Sequence, residues 1–270
     1  MFPKLFDLGP VSVYSYGLLL AAAYLAGLQM SVVRARARGI DGSKILDLGV
    51  GVIIAALVGA KLMLLVIDFE YFSANPAELL SLARSGGVFY GGLILASVVA
   101  IWQVRRMHLP VWPTGDIIAP GIALGHVVGR LGCFLGGCCY GRATDLPWAV
   151  TFTSPLALAN VGTPLNVPLH PTQLYEAGAE AVILVALLVF ERRGRAFPGR
   201  TFWAYMLAYA VSRFVIEFFR GDPRGAVLSL PTSQFIALAL VPLSVAMLVY
   251  LARRPEPAPA EPARRGRSHR

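Results

Sequence analysis

The 270 residues are 56% hydrophobic and 14% charged, where a soluble domain carries about a quarter charged residues. That balance excludes an ordinary soluble globular domain and points to an integral membrane protein. The net charge of +9 does not read as a nucleic-acid surface. Its basic residues sit in loops and a tail beside apolar runs, the pattern of membrane orientation, so no nucleic-acid partner is expected.

In chain order, the sequence reads as an all-α integral membrane protein of about seven transmembrane helices. The start, Met1-Phe2-Pro3-Lys4, lacks a basic region leading at once into an apolar core and a small-residue cleavage site, so the first span is expected to stay. Apolar runs close to the ~20 residues needed to cross the hydrocarbon core fall roughly at 13–33, 45–67, 87–104, 114–134, 173–190, 201–219 and 233–251. The fourth carries Asp116, Pro120, His126 and Arg130 and must be shielded by its neighbours. After it, residues 141–171 form the longest ordered-looking loop. Within that loop Trp148-Ala149-Val150-Thr151-Phe152 reads as a short strand or an interfacial segment. Residues 1–254 are expected to form one transmembrane domain, and the Pro-, Ala- and Arg-rich residues 255–270 a disordered basic cytoplasmic tail.

Orientation follows from the basic residues. Sixteen of the 24 Lys and Arg follow spans one, three, five and seven, five lie on the opposite side, and Lys61, Arg130 and Arg213 fall inside spans. The Lys/Arg-rich side faces the cytoplasm, so the N-terminus is expected outside and the C-terminus inside.

With that topology, polar groups from six spans reach one depth near the outer face: Tyr16, Lys61, Tyr90, Arg130, the Gln173–Glu176 segment, and Arg213 with Glu217 and Arg220. Intramembrane charge is costly and marks a functional site by default. Arg213 and Glu217 are four apart, and Glu217 and Arg220 three apart, so they share a helix face. Arg130 has no evident carboxylate partner along the sequence. An arginine fork suits phosphate, and the phosphate at an outer membrane face is a phospholipid headgroup. Around Arg130, the stretch 129–142 holds all three cysteines and five glycines, so backbones or a ligand approach closely there.

Several motifs then carry a resemblance. They are Tyr16-Gly17, Gly91-Gly92-Leu93-Ile94, Gly129-Arg130-Leu131-Gly132 with Phe134 and Gly141, His170-Pro171-Thr172-Gln173-Leu174-Tyr175-Glu176, and Arg213-Phe214-Val215-Ile216-Glu217-Phe218-Phe219-Arg220. In this order, running from the first span to the sixth, the sequence resembles the prolipoprotein diacylglyceryl transferase family. The resemblance implies an enzyme of the bacterial cytoplasmic (inner) membrane, multi-pass, with its active site toward the outer face and no cofactor or metal. Its implied partners are phosphatidylglycerol and preprolipoprotein signal peptides with a lipobox cysteine. The implied reaction places the diacylglyceryl group on that cysteine as a thioether, with glycerol phosphate leaving. By carry-over, Arg130 and Arg213 hold the phosphate, and Glu217 and Arg220 orient them. Tyr16 and Tyr209 line the lipid site with Gly91, Gly92 and Gly141, while His170 and Glu176 shape the outer mouth.

Three departures stand out. Tyr90 occupies the place of a family histidine before Gly-Gly-Leu, and a phenol titrates near 10. Cys133 stands for an asparagine and Cys138 for a glutamate, so the chain matches a cysteine-rich variant. Tyr90 is expected to be a hydrogen-bond donor or an arginine-stabilised phenolate. The blander readings run alongside. Tyr16 and Tyr90 are also at home in an interfacial aromatic belt, His126 reads as packing, and Lys61 as snorkelling. The cysteines read as small packing residues, a redox pair, or metal ligands lacking a second pair at the usual spacing. A lipid-binding or transport protein without transferase activity is the alternative function.

Overall fold

The computed structural model describes residues 2–9, 11–78, 87–193, 196–223 and 225–254. A hairpin of β1 (Lys4–Leu8) and β2 (Val11–Tyr14) precedes α1 (Ser15–Ala37), a feature the apolar pattern did not predict. Next come α2 (Gly42–Ile67), short α3 (Phe69–Ala74), α4 (Phe89–Arg106) and α5 (Val111–Gly136). The connection after α5 holds β3 (Val150–Thr151), short α6 (Pro155–Val161) and β4 (Pro168–Leu169), with β3 antiparallel to β4. Then follow α7 (Thr172–Glu191), α8 (Arg200–Glu217), a small hairpin of β5 (Ala226–Val227) and β6 (Leu230–Pro231), and α9 (Thr232–Ala252).

Each expected span is a helix, with ends within four residues of those read from hydropathy. Five of these, α1, α2, α5, α7 and α9, are long and apolar enough to cross a membrane by length and composition. The other two, α4 and α8, have 18 residues each, and α8 carries Arg200, Arg213 and Glu217. Large apolar side chains such as Leu25, Val66, Phe89 and Val182 point outward and exposed. A surface of that kind suits lipid contact. The expected tail, 255–270, and several basic residues of the orientation count, among them Arg84, Arg195 and Arg224, lie outside the described residues.

The helices pair through small residues. Gly27 of α1 and Gly121 of α5 meet so closely that a Cβ on either would strike the other's carbonyl oxygen. Gly59 of α2 and Gly91 of α4 meet in the same way, and a Cβ on Gly92 would collide with the Ala56 carbonyl. Backbones held this near exchange extensive van der Waals contact, the main attraction between helices in lipid. The α2–α4 pair joins the rest through a cluster of Val32, Ala35, Ile45, Leu48, Val104, Leu109 and Ile117. A second cluster, from Ala119, Ala123, Ile183, Leu187 and Tyr205, locks α5, α7 and α8 together.

Polar side chains fix the helix ends near that first cluster. Asp41 caps α2 by accepting from the Ser43 backbone N–H at 2.9 Å and its hydroxyl at 2.8 Å. Those two donors hold its carboxyl below the usual carboxylate range. Asp116, the acid of the weak fourth span, takes the free N–H groups of the α8 start: Gly199 at 2.7 Å and Phe202 at 2.9 Å. Arg200 in turn donates to carbonyls at the end of α7 and just beyond it, Phe190 at 2.8 Å and Arg193 at 3.0 Å. Orphan donors and acceptors at helix termini are thereby satisfied without water. Glu191 joins α7 to α1 through Arg34 at 2.5 Å and Arg38 at 2.9 Å.

Candidate active site

At the opposite end, three helices each contribute a polar pair four residues apart, which places both members on one face. These are His126 and Arg130 on α5, Glu176 and Glu180 on α7, and Arg213 and Glu217 on α8. The faces converge. Glu176, 3% exposed, is the hub. Its Oε2 lies 2.6 Å from Arg130 Nε, and its Oε1 lies 3.0 Å from Arg220 Nη1 and 3.8 Å from Arg213 Nη1. Arg213 Nη2 stands 2.5 Å from Glu217 Oε2. Arg220 also makes a two-pronged contact with Asp222, with Nε and Nη2 each 2.8 Å from a carboxylate oxygen. Burial works against the Arg220 charge, but Asp222 and Glu176 outweigh it and hold the guanidinium protonated.

The Nε–H of Arg130 is directed at His126 Nε2, 3.2 Å away, although Glu176 Oε2 is nearer. The direction of the N–H makes His126 the hydrogen-bond acceptor and leaves Glu176 as a close counter-ion. The other ring nitrogen, Nδ1, is 2.9 Å from the buried carboxylate of Glu180, a close contact with no directed hydrogen bond. The Glu180–His126–Arg130 chain therefore fixes how the Arg130 guanidinium is turned. Both Nη groups of Arg213 are buried beside carboxylates yet make no directed hydrogen bond among the described residues. A buried guanidinium with donors to spare is suited to a multidentate oxyanion.

The outer segments hold this cluster in place by crossing tightly. Gly141 N–H donates to the His170 carbonyl at 3.1 Å, Arg142 N–H to Phe219 at 2.9 Å, and His170 N–H to Arg142 at 2.9 Å. A Cβ on Gly141 would collide with His170 and with the Phe219 carbonyl. Gly141 thus serves a three-strand crossing. His170 packs edge-on against Tyr175 and Phe219, and its Nδ1 is 3.1 Å from the Tyr175 hydroxyl. Trp148 donates to the same hydroxyl at 2.8 Å, just before β3. Tyr209 leans on His126 and stacks on Tyr205. Tyr16, at the start of α1, lies over Gly132 and Gly136 of α5.

The structure therefore gathers Arg130, Arg213, Glu217, Arg220, Glu176 and Tyr209, with Tyr16 and His170 near its edges. Four expectations are corrected. Arg130 does have a carboxylate partner, Glu176, brought from another helix. Glu176 sits at the buried centre of the cluster and does not line its mouth. Arg220 pairs with Glu176 and Asp222, with no ion pair to Glu217 among the described residues. Tyr90, Gly91 and Gly92 are not brought in. The two glycines are the contact surface of α4 on α2, and Tyr90 meets Phe89 edge-on, with no hydrogen bond to the cluster among the described residues. His126, Glu180 and Asp222 were missed. A buried acid one turn beyond Glu176, and a histidine one turn before Arg130, were the available signals.

Comparisons with known proteins identify the family. A family model for prolipoprotein diacylglyceryl transferase matches residues 3–250. A phosphatidylglycerol–prolipoprotein diacylglyceryl transferase of Clostridium tetani is 36% identical over 246 residues, covering 91% of this chain and 96% of that protein. Proteins of the same name from Synechococcus elongatus, at 31% identity over 98% of this chain and 93% of theirs, and Aromatoleum aromaticum, at 33% over 95% and 97%, are similar along their length. With a matching family model along almost the whole sequence and relatives above 30% identity at this coverage, the chain belongs to the prolipoprotein diacylglyceryl transferase family.

Proposed function

We propose that the chain transfers the diacylglyceryl group of phosphatidylglycerol to the lipobox cysteine thiol of preprolipoproteins, the first step of bacterial lipoprotein maturation. The observation that carries this reading is the buried Arg130–Glu176–Arg213 cluster, flanked by Arg220. It is a fixed array of guanidinium donors, partly unengaged, at the end of α5 and α8 and the start of α7.

The chemistry follows from charge. The thiolate sulfur forms a bond to the glyceryl carbon as the carbon–oxygen bond to phosphate breaks. The bonding pair leaves on the phosphate oxygen, so negative charge grows there. Arg130 and Arg213 are the groups to bind that phosphate and stabilise the growing charge, a preorganised electrostatic role. Glu176 and Glu217 hold the two guanidiniums in position before the lipid arrives. Glu180 and His126 turn Arg130 toward the phosphate. Tyr16 and Tyr209 border the lipid. Tyr90 lies outside this arrangement and is given no chemical step.

The accompanying topology is seven spans, with the N-terminus outside, the C-terminus cytoplasmic and the site toward the outer face of the bacterial cytoplasmic (inner) membrane. The basic-residue asymmetry supports it, and a signal-peptide substrate delivered across the membrane requires it. Residues 1–254 form the transferase domain in this reading. Purified protein, phosphatidylglycerol and a lipobox peptide should yield a thioether-linked diacylglyceryl peptide by mass spectrometry. Absence of that product from a well-folded preparation, under conditions where a relative makes it, would overturn the assignment.

A further inference from the structure

Beside the arginine cluster lies a second constellation that the phosphate chemistry leaves unused. The Sγ atoms of Cys133, Cys138 and Cys139 are all within 4.8 Å of one another, and none of the three is in a disulfide. A tetrahedral zinc ion at about 2.3 Å from each thiolate sets sulfur atoms about 3.8 Å apart. The three thiols therefore reach ligating geometry by closing about 1 Å or less.

The turn that carries them is braced. Gly137 ends α5 in the left-handed region, φ +82°, and Cys139 is held there too, φ +62°. A non-glycine residue keeps that conformation only where its surroundings impose it. Thr163 donates to the Gly137 carbonyl at 2.8 Å, Gln173 to Cys138 at 2.7 Å and Thr172 to Cys139 at 2.8 Å. All three donors are fully buried. These bonds satisfy the backbone carbonyls of the turn and so hold the three cysteines in one place.

The surroundings suit the charge. Three thiolates and one divalent ion carry a net −1, and Arg130 and Arg220 are the cations acting on Cys139. Arg130 is one turn before Cys133 on α5, and Gln173 is one turn before Glu176 on α7, so the thiols adjoin the phosphate site. His126 at that site faces Arg130 with one nitrogen and Glu180 with the other.

We propose that Cys133, Cys138 and Cys139 bind one zinc ion through three thiolates, leaving its fourth position for the thiol of the substrate cysteine. The second half rests on the transferase reading; the metal site does not. On binding the ion the substrate thiol gives its proton to water, because a coordinating thiol is deprotonated outright. Its sulfur pair then forms the bond to the glyceryl carbon, the carbon–oxygen pair leaves on phosphate, and the thioether product, a weaker ligand, departs. No electron is gained or lost.

The test uses full-length detergent-purified protein. Metal analysis after zinc supplementation and dialysis should find one zinc per chain, falling below a tenth in Cys133→Ser and Cys139→Ser variants that stay monodisperse. Cobalt substituted for zinc should give the thiolate charge-transfer and ligand-field bands of a tetrahedral site. A lipobox peptide should shift those bands and its Cys→Ser version should not. Zinc-free protein, an internal disulfide found by mass spectrometry after anaerobic preparation, or a cobalt spectrum indifferent to the peptide thiol would each overturn the proposal. Zinc content is read without turnover, so failure here is distinct from failure of the transferase reading.

Discussion

The α5–α7–α8 assembly and the α2–α4 pair are built from the same materials, apolar helices with glycines on their faces, yet they do opposite things. In α2 and α4 the glycines let two backbones touch, and the contact is almost wholly apolar. In α5, α7 and α8 apolar packing around Ala119, Ala123 and Ile183 gives way, toward one end, to five charged side chains and a histidine. Apolar close packing needs only shape. Buried charge needs partners, and a pair broken on one side is strongly destabilising because the other charge is left uncompensated. The first region sets architecture; the second is the proposed phosphate site.

That contrast predicts a graded set of effects. Arg130→Ala or Arg213→Ala should lower transfer by about 10²–10³-fold, the usual cost of losing a preorganised charge-stabilising donor, measured as thioether product per unit of folded protein. His126→Ala and Glu180→Gln should cost less, on the order of tenfold, because they act by orienting Arg130. Their loss should appear in kcat more than in KM, and His126→Gln, which keeps an acceptor, should recover part of it. Gly91→Val should leave the site chemistry intact and strike architecture instead, destabilising the α2–α4 contact by about 1–3 kcal/mol, read by thermal unfolding in detergent. Smallest of all, Tyr90→Phe should change activity within about twofold. A large loss there would mean that α4 approaches the cluster during turnover, and would erase the division between the two regions.

The two regions also differ in how legible they were. Every long helix was readable, because apolar length is a local property. So was the Arg213–Glu217 pair, four residues apart on one face. The partner of Arg130 was not, since Glu176 is on another helix and only tertiary packing joins them. His126 read as filler because its value depends on Glu180 reaching it from α7. Gly91 and Gly92 misled in the other direction: a motif that names a family does not say whether its glycines face a lipid or a neighbouring helix, and here they face α2. The close approach of the three cysteine sulfurs was not legible either, because the left-handed turn at Gly137 and Cys139 that folds them together is invisible in spacing alone.

The central claim is that the buried guanidiniums of α5 and α8 are the phosphate site. The most direct measurement is phosphatidylglycerol binding to wild-type, Arg130→Ala and Arg213→Ala protein in nanodiscs of neutral lipid, with monodispersity and helix content checked for each. The account predicts saturable binding by wild type, weakened at least tenfold by either substitution, each of which removes a charge-assisted contact of about 1.5–3 kcal/mol. Equal phosphatidylglycerol affinity in all three folded proteins would contradict it.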